Sequence, residues 1–146
     1  MHRVIAITVA AVAAITLATS AFADAVYHTA QVPLEPVGSA PGGGAVINIH
    51  ANGPMVYAHE IYLLKHATPG GYQVSIHIYP TSQNCTGSSL TLPTATLDTN
   101  AVGNGQADVK FTPADAASIR GLTLSAYWTV EGPASYTSQC SVITLD

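Results

Sequence analysis

Two stretches of the chain alternate cleanly between apolar and polar positions. After the break at Pro69-Gly70-Gly71, Tyr72, Val74, Ile76 and Ile78 alternate with Gln73, Ser75, His77 and Tyr79. Leu122, Leu124, Ala126, Trp128 and Val130 alternate in the same way with Thr123, Ser125, Tyr127 and Thr129. A period of two is the pattern of a strand with one face buried. Weaker versions recur. Residues 45–50 set Ile47 and Ile49 against Asn48 and His50, and Gln106 to Thr112 directs Val109 and Phe111 inward. Leu90 to Asp98 reads as a strand interrupted by Pro93, and Tyr136 to Leu145 closes the chain. Met55 to Leu64 is ambiguous, because Tyr57, His59, Ile61 and Leu63 fall on one face and Val56, Glu60 and Tyr62 on the other.

Turn residues separate these runs: Asn52-Gly53-Pro54, Asn100 to Gly105, and Gly132-Pro133. Thr112-Pro113 has the form of a helix cap followed by a first-turn proline, which predicts one short helical turn ending by Gly121. About seven short strands with regular turn signals and no long helix predict an all-β, antiparallel β-sandwich. The expected core is Ile47, Ile49, Ile61, Leu63, Tyr72, Val74, Ile76, Ile78, Val109, Phe111, Leu122, Leu124 and Trp128.

The first residues read differently. Met1-His2-Arg3 leads into an uncharged apolar run ending near Ala21-Phe22-Ala23, the form of a signal peptide over 1–23 cleaved before Asp24. The remainder, 24–146, has the length of one domain, with a lead-in over 24–44 whose prolines suit an edge strand or an extended arm. A secreted or periplasmic protein is expected, with no membrane span in the mature chain. In that setting Cys85 and Cys140 form one disulfide.

Ala67-Thr-Pro-Gly-Gly-Tyr72-Gln-Val74 resembles the tyrosine-corner segment of fibronectin type III and related immunoglobulin-like domains. There a proline turn precedes a tyrosine whose hydroxyl bonds back to the chain. The resemblance covers this turn and strand and implies an immunoglobulin-like β-sandwich with an adhesive or binding role. The order Cys85, Trp128, Cys140 departs from antibody domains, whose tryptophan follows the first cysteine much sooner.

Charge narrows the function. Charged residues make up 8% of the chain, against roughly a quarter in an ordinary domain. Without Arg3 the mature part has eight acids and three bases, Lys65, Lys110 and Arg120, a formal charge of 3 − 8 = −5. Three scattered bases cannot track a phosphate backbone, so nucleic acid is excluded as a partner. No G-x-S-x-G, H-E-x-x-H or phosphate-cradling loop is present, and Gly42-Gly43-Gly44 precedes a strand instead of a helix. The Asp98 to Gly105 turn, with Asp108 nearby, offers too few carboxylates for calcium.

Two constellations remain. Tyr62, Tyr79 and Tyr127 fall on predicted polar strand faces, where aromatic rings offer a surface to a glycan or a protein. His50, His59, His66 and His77, with Glu60, fall on strands expected to be neighbours, which suits a surface copper or zinc site. Copper/zinc superoxide dismutase shares the sandwich architecture, but its H-x-H ligand motif is missing here. The leading expectation is a non-catalytic binding or structural module without a cofactor, its partner an extracellular or envelope protein or a glycan. The alternative is a copper- or zinc-binding secreted protein.

Overall fold

The computed structural model describes residues 28–50, 58–112, 114 and 122–144. The expected leader at 1–23 and most of the expected helical turn between Thr112 and Gly121 lie outside the described residues. The described residues form nine strands: β1 (His28–Pro36), β2 (Gly43–His50), β3 (Ala58–Lys65), β4 (Gly71–Tyr79), β5 (Leu90–Asp98), β6 (Gly105–Phe111), β7 (Thr123–Glu131), β8 (Ser135–Ser138) and β9 (Ser141–Thr144). Every pairing is antiparallel, and the described residues contain no helix.

The strands form one sheet in the order β5-β4-β7-β8-β1-β2-β3-β6, with β9 added to β7. Its two ends, β5 and β6, lie beside each other and are joined by the turn between them, so the sheet is a nearly closed barrel. Strands β4, β5 and β6 follow one another as a meander, and β7 returns beside β4, which is a Greek-key connection. The outcome is nine strands where about seven were expected, because the lead-in and the chain end both supply strands. β1 is bonded to β2 along His28–Leu34 and to β8 only at Leu34–Pro36. Pro33 therefore falls where β1 has a single partner and Pro36 at its end, the positions a strand allows proline.

β4 and β7 follow the predicted alternation. Tyr72, Val74, Ile76 and Ile78 of β4 and Leu124, Trp128 and Val130 of β7 are buried, whereas Leu122 precedes β7 and is exposed. Val109 and Phe111 of β6 face the core and are partly buried. The opposite wall reverses the prediction. On β3 the buried residues are Ala58, Glu60, Tyr62 and Leu64, and Ile61 and Leu63 are half-buried on the outer face. On β2 Val46 and Asn48 are buried on the inner face, Ala45 near the strand's start is buried as well, and Ile47 is half-buried and faces out; the side chain of the expected core residue Ile49 lies outside the described residues. The two strands reverse together because directly paired residues share a face, and Val46 pairs with Tyr62 and Asn48 with Glu60.

The ends of the barrel are closed by short-range bonds. Tyr72 donates its hydroxyl to the Thr68 carbonyl at 2.5 Å, and Tyr136 donates to the Pro41 carbonyl at 2.6 Å. In the turn after β5, Asn100 Oδ1 accepts the amides of Val102 and Asn104, at 3.1 and 3.0 Å. Gly103 there has φ +75°, and a Cβ on it would fall 2.0 Å from the Ala67 carbonyl oxygen, so only glycine fits.

Candidate functional site

The barrel interior contains a polar node. Glu60 is 6% exposed, yet it lies among the core residues of β3. The Tyr62 hydroxyl donates to Glu60 Oε2 at 2.5 Å, and the Trp128 indole Nε1–H donates to the same oxygen at 3.0 Å. Residues two apart on a strand share a face, which brings Tyr62 to Glu60; the curvature of the sheet brings Trp128 across from β7. Asn48 stands opposite Glu60 in the β2–β3 register and is itself 4% exposed, and its Oδ1 has no hydrogen-bond partner. Burial pushes the Glu60 carboxyl above the ordinary carboxylate range, against the lowering effect of its two donors. Burial first, and the Glu60 charge second, push the Tyr62 phenol up as well. The Thr94 hydroxyl of β5 is the next polar group, near the Tyr62 phenol, and it donates to the Val74 carbonyl at 3.3 Å.

Thr94 marks the place where the barrel opens. Among the described residues β5 is laddered to β4 alone, and its contact with β6 through the sheet is the one bridge between Thr99 and Gly105. The β4–β5 register shifts at Val74/Ser75. On one side of the shift Leu97 is fully buried; on the other, Leu92 pairs with Ile76 and Leu90 with Ile78, so both share the core face. They are nonetheless 38% and 52% exposed. The mouth between β5 and β6 is therefore lined by core-facing leucines beside a strand edge that carries no ladder among the described residues.

The expected tyrosine platform does not assemble. Tyr62 is completely buried in the interior node, on the face opposite to the one predicted. Tyr79 and Tyr127 do meet on the outer face of β4 and β7, with centroids 6.1 Å apart, but Tyr79 is buried there. Tyr127 stacks on His77 at 4.4 Å with the planes 10° apart. One face of the half-buried Tyr127 ring is thus covered by His77, and the Tyr79 ring is withdrawn from the surface.

Nor do His59, His66 and His77 converge; the side chain of His50 lies outside the described residues. β4 is separated from β3 by β6 and β5 around the barrel, so the strands carrying His59 and His77 are not neighbours. His59 Nε2 lies 3.2 Å from Asp108 Oδ2 on the outer face of β3 and β6. His77 bridges three strands through its two ring nitrogens, 2.9 Å from Thr91 Oγ1 and 3.0 Å from Thr129 Oγ1. His66, with φ 55°, bonds through its backbone amide to Asn104 and lines a shallow groove of about 300 Å³ with Lys65 and Gly42–Gly44. His50 pairs in register with His28 and Ala58. Glu60 faces inward, away from His59, and among the described residues no three His, Cys, Asp or Glu side chains group as a metal site.

The predicted disulfide is formed. Cys85 and Cys140 are joined with Cα atoms 5.8 Å apart, tying the 80–89 loop to the segment between β8 and β9. Ser125 of β7 seats that loop: its Oγ accepts the Cys85 amide and donates to the Ser82 carbonyl, both at 2.9 Å.

Asn48, Thr94 and the acceptor role of Glu60 were not singled out from sequence. The available signal was a glutamate inside an apolar strand of a charge-poor chain with a tyrosine two residues on, a spacing that lets one bond the other. No protein-family model, curated protein or solved structure matches the chain.

Proposed function

We propose that the chain is an exported, non-catalytic binding module of the secreted or periplasmic compartment, and that it takes an extended polypeptide along the free edge of β5. One observation carries this reading: among the described residues β5 is laddered on a single side, while two of its core-facing leucines, Leu90 and Leu92, are exposed. An added strand would pair the free backbone groups, and its alternate side chains would cover those leucines. The leader-like residues 1–23 and the Cys85–Cys140 disulfide support the compartment. The bond from Tyr72 to the Thr68 carbonyl supports an immunoglobulin-like reading of that corner. The packed ring faces of Tyr127 and His77 favour a polypeptide over a glycan.

The test is an NMR titration of the isotope-labelled mature chain with synthetic peptides of alternating valine and threonine, flanked by lysines to complement the net negative charge. Amide shifts confined to β5 and the facing edge of β6, lost in Leu92→Arg, are expected. Shifts centred on Tyr127 and His77 with an oligosaccharide panel, or no shift in β5 with any peptide, would overturn the reading.

A further inference from the structure

The interior node poses a problem of charge that is independent of the β5 edge. A buried carboxylate needs a cation or a proton, since an isolated charge in an apolar interior costs far more than any single contact returns. Among the described residues no cation faces Glu60. Lys65 and Lys110 are exposed, and His59 and Asp108 pair on the outer face. On the inner face β3 presents Tyr62, β7 presents Trp128, β2 presents Asn48 and β6 presents Val109 opposite Glu60; of these only Tyr62 titrates. Both recorded donors converge on Oε2. Directly across the β2–β3 ladder, where paired Cβ atoms stand roughly 5 Å apart, Asn48 offers a buried acceptor with no donor. A carboxylate on Glu60 would leave that acceptor without a donor and its own charge without a counter-ion. One proton between them resolves both defects.

We propose that Glu60 is a neutral carboxylic acid in the folded chain at neutral pH, with its proton on Oε1 donated to Asn48 Oδ1. The node is then a binding site for a single proton, built from β2, β3 and β7. Oε2 acts as the carbonyl acceptor for Tyr62 and Trp128, and Oε1–H satisfies Asn48. Release of the proton to solvent leaves a carboxylate facing the Asn48 oxygen and loosens the β2–β3 wall. The direction of the Glu60 shift agrees, because burial favours the uncharged acid.

The experiment is difference infrared spectroscopy of the whole mature chain, grown with carboxyl-labelled glutamate, across a pH titration from mildly acidic to alkaline. Wild type shows the isotope-shifted carbonyl stretch of a protonated acid at neutral pH and loses it on alkalinisation. Glu60→Gln lacks that band at every pH; its amide supplies both an acceptor for the two donors and an N–H for Asn48, so it folds. Asn48→Leu moves the band to higher frequency and lowers its titration midpoint, because the acid has lost its acceptor. A wild-type spectrum with only carboxylate bands at neutral pH overturns the proposal, as does a carboxylate band that depends on added sodium or potassium, which would assign the site to a metal cation. A band unmoved in Asn48→Leu overturns the pairing with Asn48. Should Glu60→Gln fail to fold, the same titration of the Glu35→Gln, Glu131→Gln double variant decides, because both of those side chains are exposed and Glu60 is then the one labelled glutamate left in the mature chain.

Discussion

The wall made by β4 and β7 and the wall made by β2 and β3 are built from the same kind of sequence, yet alternation predicts one and inverts the other. In β4 and β7 the inward side chains are apolar and the outward ones polar, so burial area alone selects the face. In β2 and β3 the inward set includes Asn48 and Glu60, and Ile61 and Leu63 remain on the outside. Glu60 is tolerated there because its two donors, Tyr62 and Trp128, are also inside. A one-residue change of face exchanges every side chain on a strand, so burying Val46, Tyr62 and Leu64 together with a hydrogen-bonded Glu60 outweighs burying Ile61 and Leu63.

Trp128 joins the two walls and should show the largest effect. Trp128→Ala removes a fully buried ring and one donor to Glu60 and should cost about 3–5 kcal/mol in urea unfolding. A loss below that range would mean that the indole is not the centre of the core. Reducing the Cys85–Cys140 bond, which spans 55 residues, should cost about 4 kcal/mol in the chain-entropy model. Comparing the midpoints with and without reductant measures this, and equal midpoints would deny the disulfide its constraining role. The contrast between the walls is sharpest for two isoleucines. Ile76→Ala on the inner face of β4 should cost about 2–5 kcal/mol, and Ile61→Ala on the outer face of β3 should cost clearly less. Equal losses would break the assignment of the β3 face.

Smaller effects probe polar groups. Tyr62→Phe removes one of the two donors to Glu60 and should cost about 1–3 kcal/mol, read from thermal and urea unfolding; a neutral result would place the phenol outside the node. The smallest effect is a pH slope from His77. Burial lowers its folded pKa, with the Glu131 charge opposing, so the unfolded chain takes up the proton first as pH falls. Its contribution to stability is fully present above the ordinary imidazole value of about 6.5 and is lost as pH drops through that value toward the folded pKa. His77→Gln should flatten this part of the stability profile, and an unchanged slope would exclude His77 as its source. Glu60 has the opposite sign. Its folded pKa is raised, so its contribution is full below the ordinary carboxylate value and declines as pH climbs through the folded pKa.

The sequence alone determined the all-β class, the strands at β4 and β7 with their inward faces, the turn at Asn100 to Gly105 and the pairing of Cys85 with Cys140. Those features depend on local periodicity, local backbone preference and the small number of cysteines, none of which requires knowledge of distant neighbours. Only the tertiary structure decided the face of β2 and β3, the separation of the histidines and the opening at Leu90 and Leu92. Each of these depends on which strands lie side by side. The Greek-key path places β6 and β5 between β3 and β4, so His59 and His77 part. The same path brings Trp128 across the barrel to Glu60 and allows a carboxyl group, which sequence polarity assigns to the surface, to occupy the core.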